Sequence, residues 1–182
     1  MLNNGRKTFI ISDTHFGHRN IIKFKDKDGN LTRPFKSVEE MDELMVKNWN
    51  SVVQPEDRVY HLGDVVMNRR CLEIFNRLNG RICLIKGNHD IFKLKDYTPY
   101  FDDIRAYKVY PKHGLILSHI PVHPNQLKGR FKYNIHGHLH QNFVTKEDES
   151  IDERYVNVCV ENINYTPLDF DDLKNQLNRK NK

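Results

Sequence analysis

Seven residues of this chain, Asp13, His15, Asp64, Asn88, His119, His138 and His140, carry oxygen and nitrogen donors of the kind that hold divalent cations. Carboxylate, imidazole and amide donors without a thiolate suit Mn²⁺, Fe²⁺, Co²⁺, Ni²⁺ or Zn²⁺ better than they suit a structural cysteine–zinc site. Seven donors exceed what one four-coordinate ion takes. They fit a pair of ions about 3.5–4 Å apart that share a bridging carboxylate, an arrangement suited to hydrolysing anionic substrates. His89 and Asp90 directly follow Asn88, and an imidazole at such a centre can move a proton near neutral pH.

The elements that must position these donors follow from periodicity. Residues 7–12, 58–62 and 81–86 read as buried strands. Helices are expected between them at 38–53 and 69–78. Ser37 and Glu40 form a capping box at the start of the first helix, and Met41, Leu44, Met45, Trp49 and Val52 follow helical spacing. Cys71, Leu72, Phe75 and Leu78 share one face of the second. The other half is richer in strands: 104–110 and 115–118 flank the hairpin signal Lys112-His113-Gly114, 133–136 follows, and Val156, Val158 and Val160 alternate through 155–160. A last helix is expected at 169–177. Every donor then falls just past the carboxyl end of a strand, the edge where open α/β sheets bind ligands. Gly63, Gly87 and Gly137 each precede a donor and permit close approach of the backbone. Pattern alone specifies α/β or α+β, with residues 1–182 as a single domain.

The bulk properties agree. The chain has 182 residues, 38% of them hydrophobic, and a net charge of +5, which favours anionic partners. No apolar run approaches the roughly 20 residues of a membrane span, and the start of the chain has no secretory signal. Cys71, Cys83 and Cys159 read as reduced thiols, so a cytoplasmic protein with no membrane partner is expected. Nothing in the pattern sets an oligomeric state.

The ordered series Asp13-Thr14-His15, Gly63-Asp64, Gly87-Asn88-His89-Asp90, Ser118-His119 and Gly137-His138-Leu139-His140 resembles the signature of the calcineurin-like metallophosphoesterases. The stretches SDTHFGHRNII and RYVNVCVENINYTPL resemble a small bacterial and phage-type branch of that family. The resemblance implies a four-layer αββα sandwich of two mixed β-sheets flanked by helices. It implies that Asp13, His15 and His140 bind one metal, that Asn88, His119 and His138 bind a second, and that Asp64 bridges them, with manganese favoured. It further implies in-line attack on phosphorus by a hydroxide held between the metals, His89 as general acid, and Asp90 orienting the His89 imidazole.

The remaining candidates carry blander alternatives. His61 and His136 read as buried or supporting histidines, and His113 as a turn residue. His18, Arg19, Asn20 and His123 lie in loops leaving the donor segments and are candidates to touch substrate. An arginine in the 16–36 loop, Arg19 or Arg33, could clamp phosphate, against a solvated loop as the preferred alternative. Lys128, Arg130 and Lys132 read as a solvated charge run, and Trp49 as core. The expected function is metal-dependent hydrolysis of phosphodiesters or phosphomonoesters, with small nucleotide-like substrates favoured. The alternatives are a nuclease acting on DNA or RNA, which the positive charge permits, and a non-catalytic binding scaffold on the same fold.

Overall fold

The computed structural model describes residues 5–180; residues 1–4, part of the start read for a secretory signal, and residues 181–182 lie outside it. Strands β1 (Thr8–Ile11), β2 (Arg58–His61), β3 (Arg81–Ile85) and β4 (Asp103–Arg105) run parallel. In a second sheet, β5 (Tyr107–Tyr110) is antiparallel to β6 (Leu115–Ser118), and β7 (Tyr133–His136) and β8 (Tyr155–Asn157) continue in parallel. A two-residue strand β9 (Leu168–Asp169) pairs antiparallel with β1. The first sheet is ordered β4-β3-β2-β1-β9 and the second β5-β6-β7-β8, so both are mixed. With its helices, this is the α/β arrangement of the expected αββα sandwich.

Strand alternation divides the core in two. Phe9, Ile11, Val59, Ile82 and Leu84 face one way, against Met41, Met45 and Trp49 of helix α1 (Val38–Val52). Ile10, Tyr60, Cys83 and Ile85 face the other way, against Leu115, Leu117, Ile135 and Val158 of the second sheet half. Phe170, Leu173 and Leu177 of the terminal helix (Phe170–Lys180) join that second cluster. Helix α1 starts as expected, with the Ser37 hydroxyl accepting from the Glu40 amide at 3.0 Å, a cap worth about 1 kcal/mol. The reciprocal bond differs: the Glu40 carboxylate caps the amide of Lys36.

Four expectations about elements need correction. The strand expected at 104–110 is two strands in different sheets, β4 and β5, separated at Ala106; alternation continues across the break because both pieces are extended. The second helix is a 3₁₀ helix, Arg69–Arg77, and its buried residues Leu72 and Phe75, with Leu78 capping its end, recur every third position, which is the 3₁₀ period. The strand expected at 155–160 stops at Asn157, beyond which Val160 begins a 3₁₀ turn. Strand β9 and the one-turn helix α2 (Leu94–Tyr97) are additions, which makes the Phe170–Lys180 helix α3. No helix among the described residues is long and apolar enough to cross a membrane.

The sheets meet where the site forms. Beyond β1, Ser12 pairs with Cys159 in a parallel bridge: its amide donates to Val158, and its carbonyl accepts from Val160. The carboxyl ends of β1, β2 and β3 are thereby brought beside those of β6 and β7.

Candidate metal centre

Two groups of donors converge at these strand ends. Asp13, His15 and His140 form one, and Asp64, His119 and His138 the other; within each group the donor atoms lie within 4.8 Å of one another. Asn88 joins the second group, with its Oδ1 2.8 Å from His119 Nε2. The Asp64 carboxylate lies between the groups, its Oδ2 3.6 Å from His15 Nε2 and 3.4 Å from His119 Nε2.

Hydrogen bonds consume one side of each carboxylate and leave the other. Asp13 Oδ2 accepts from the Ser12 hydroxyl, the His138 amide and the Cys159 thiol. Asp13 Oδ1, by contrast, is buried without a hydrogen-bond partner, as are both ring nitrogens of His15. Asp64 Oδ1 accepts from the His89 amide at 2.8 Å, which leaves Oδ2 facing the two histidines. Buried polar atoms left unpaired cost about 1–3 kcal/mol each. A divalent cation satisfies such atoms, so the donor set fits the metals that the sequence implies.

The backbone is bent to serve these donors. Asp13, His15, Asp64, His138 and His140 all have positive φ, between 48° and 70°, a region that costs a non-glycine residue about 1–2 kcal/mol. Strain concentrated on chemically active residues marks functional sites. Two glycines give the donors room: a Cβ on Gly87 would overlap the Asp64 carboxylate, and one on Gly137 would overlap Asp13 and Ser12.

Electrostatics follow from burial and pairing. Burial raises the Asp13 pKa, but the imidazoles of His15 and His119 outweigh it and hold the carboxyl well below the usual range. Burial also opposes charge on His119 and His140. Asp64 outweighs it at His119, and Glu161 does so at His140, so both pKa values are raised. Burial lowers His15, and likewise His138, where His119 adds to the effect. His18, T-shaped against His15 with ring centroids 5.8 Å apart, is depressed by burial and by His15 to about 4.

The other candidates separate. The His89 ring is exposed, 5.7 Å from that of His15. The Asp90 carboxylate, expected to orient that ring, has other partners here. The Asp90 carboxylate accepts from the amides of Asp64, Val65 and Gly87 at 2.7–3.0 Å, and no hydrogen bond from it to the His89 ring is found among the described residues. Its tight turn aims it at the loop backbone, so it ties the loop after β2 to the loop after β3. His18, Arg19 and Asn20 line a cleft of about 490 Å³ with Asp42, Met67 and Asn68. A second cleft of about 360 Å³ opens beside Asn88 and His119. His123 lines neither; it is exposed, and its Nδ1 accepts from the Asn125 amide in its own turn. His61 is buried against Thr14 and Gly63, and His136 is buried with Nδ1 donating to the Gly137 carbonyl.

Arg33 is neither a phosphate clamp nor solvated: it is completely buried and bonds Glu161 and the carbonyls of Asp13 and Thr14. Sequence reasoning missed Glu161, which bonds His140 and Arg33, although it follows an expected strand, the same signal that marked the donors.

Comparison with known proteins gives this geometry a context. The pattern of the calcineurin-like phosphoesterase superfamily domain matches residues 7–159. An uncharacterized protein of Methanocaldococcus jannaschii is 39% identical over 176 residues, covering 91% of this chain and 88% of the relative. The gene 66 protein of Mycobacterium phage L5 is 30% identical over 118 residues, 62% of this chain and 50% of the phage protein. The crystal structure of a protein of unknown function from Aquifex aeolicus superposes with a TM-score of 0.71 at 30% identity, covering 94% of this chain and 99% of that one. The domain pattern spans most of the chain, and the chain belongs to the calcineurin-like phosphoesterase superfamily.

Proposed function

We propose that this protein is a dinuclear metal-dependent phosphoesterase acting on small, nucleotide-like phosphodiesters or phosphomonoesters. The observation that carries the reading is the Asp64 Oδ2 atom, within 3.6 Å of a histidine nitrogen in each donor group. Asp13, His15 and His140 would hold one ion, Asn88, His119 and His138 the other, and Asp64 both. Bound there, two divalent ions, manganese favoured, supply positive charge to the phosphoryl group and acidify water.

The chain's own residues do the rest. The exposed His89 ring is free to give a proton to the leaving oxygen, and the Asp64 carboxylate fixes its backbone amide. His18, with its depressed pKa, stays uncharged at neutral pH and offers a hydrogen bond without repelling the cations. One cleft beside Asn88 and His119 and another lined by His18, which packs on His15, suit the two arms of a diester. The buried donors come from both sheets, which supports residues 1–182 working as one domain. The free thiols Cys71, Cys83 and Cys159 accord with a reducing cytoplasm.

The test is hydrolysis of bis-p-nitrophenyl and p-nitrophenyl phosphate by Mn²⁺-loaded protein, followed by a screen of mono-, di- and cyclic nucleotides read by product mass. Metal-dependent cleavage is expected. If both nitrophenyl esters stay intact, the non-catalytic scaffold is the better reading, while steeply salt-dependent binding and cleavage of DNA or RNA would favour the nuclease. His89→Ala is expected to lower turnover about 10²–10⁴-fold with two metals still bound. Metal loss in that variant would make His89 a ligand or a structural residue.

A further inference from the structure

The segment that follows β8 lies against the first donor group, and most of it falls beyond the matched family region, which ends at residue 159. His140 Nδ1 lies 2.9 Å from Glu161 Oε1. Since a carboxylate only accepts, that ring nitrogen carries the proton and Nε2 is left with its lone pair. Arg33 Nε donates to the same Glu161 oxygen at 2.8 Å. The other arms of its guanidinium hold the carbonyls of Thr14 and Asp13 at 2.9 and 2.5 Å. Asn157 and Asn162 both donate to the His140 carbonyl. One buried fork therefore spans the backbone of one donor and, through Glu161, the ring of another.

We infer that Arg33 and Glu161 are positioning residues for the first metal: Glu161 fixes the His140 tautomer and ring orientation, and Arg33 locks Glu161 to the Asp13 turn. The inference rests on the dinuclear reading above. Stability alone explains the pair poorly. Glu161 Oε2 is buried without a hydrogen-bond partner, and replacing a buried ion pair with apolar residues is often neutral or stabilising. A carboxylate behind a metal-bound histidine, by contrast, orients it and strengthens its donation, and its loss typically costs 10–100-fold in metal affinity.

The test is calorimetric titration of the metal-stripped full chain with Mn²⁺. The wild type is expected to bind two ions. Glu161→Ala should weaken one of them about 10–100-fold and leave the other unchanged, and Glu161→Gln, which keeps an acceptor for the ring, should recover part of that loss. In a His140→Ala background the Glu161 substitution should add nothing. In Zn²⁺-loaded wild type, long-range nitrogen–proton spectra should place the His140 proton on Nδ1. Should Glu161→Ala fail to fold, Glu161→Gln must still weaken one site alone, and the wild-type spectrum must still show that tautomer. Unchanged affinity at both sites, equal weakening of both, or a proton on Nε2 overturns the inference while leaving the proposed function standing. A wild type that binds fewer than two ions overturns both.

Discussion

His140 and His119 occupy corresponding places in the two donor groups, and each has its Nδ1 proton taken by a partner. For His119 the partner is a backbone carbonyl, that of Leu62 at 2.8 Å; for His140 it is the Glu161 carboxylate. The same contrast runs through both groups. Around Asp13 and His140 the supports are mostly side chains: Ser12, Arg33, Cys159 and Glu161. Around Asp64 and His119 the groups that meet the donor side chains are backbone ones, the His89 amide and the Leu62 carbonyl, with the Asp90 side chain behind them on the Asp64 amide, and Asn88 is exposed. A carboxylate raises the basicity of an imidazole more than a carbonyl does, so on the proposed reading the side-chain-supported group is expected to bind its ion more tightly. The backbone-supported group sits at the open face, beside His89 and the Asn88 cleft, where substrate would enter.

The largest effect should come from the one residue common to both groups. Asp64→Ala is expected to empty both sites and to lower turnover on the order of 10³-fold or more, since the charge stabilisation from the metals is worth several kcal/mol. Metal analysis showing one site still filled would break the symmetry of its role. Asp90→Asn probes the backbone-supported side. An amide cannot accept from three N–H groups as a carboxylate does, so a loss of about 1–3 kcal/mol in urea unfolding is expected, with Mn²⁺ affinity reduced only at the weaker site. Equal damage to both sites would show that the two halves are not supported separately.

Asp42→Asn probes the loop beyond His15 and should have the smallest effect, visible only in its pH dependence. The Asp42 carboxylate accepts from the Gly17 amide, and burial raises its pKa from 3.8 to about 7. As pH rises, the unfolded chain ionises at this position before the folded one does. The stabilising contribution is therefore complete below pH 3.8 and is lost by about pH 7. Wild type should lose stability across that window relative to Asp42→Asn, which keeps the acceptor and does not ionise. Parallel stability curves for the two proteins would show that this loop has no such linkage.

The contrast between the groups also explains what could be read beforehand. The seven candidate donors could be picked out because each follows a strand, and the two mixed sheets because hydrophobic alternation marks strands. The Ala106 crossover was not, because alternation does not reveal when a chain changes sheets. Asp90 was assigned to the His89 ring on adjacency, while its carboxylate bonds the loop amides; its orientation depends on a turn that sequence spacing does not encode. Arg33 and Glu161 are single polar residues with no periodicity, and they meet only after the chain has closed. Backbone supports need no particular residue type and leave no mark in a sequence, whereas side-chain supports leave one that is hard to see.

Cys159 reaches the carboxylate of Asp13 across 146 positions of sequence. A ribosome makes Asp13 and His15 well before His140 and Glu161. The first donor group therefore cannot close until Glu161 has been made. Contacts of such long range are slow to form, so capture of an ion there would wait on them, and chains truncated before Glu161 would emerge without a finished site.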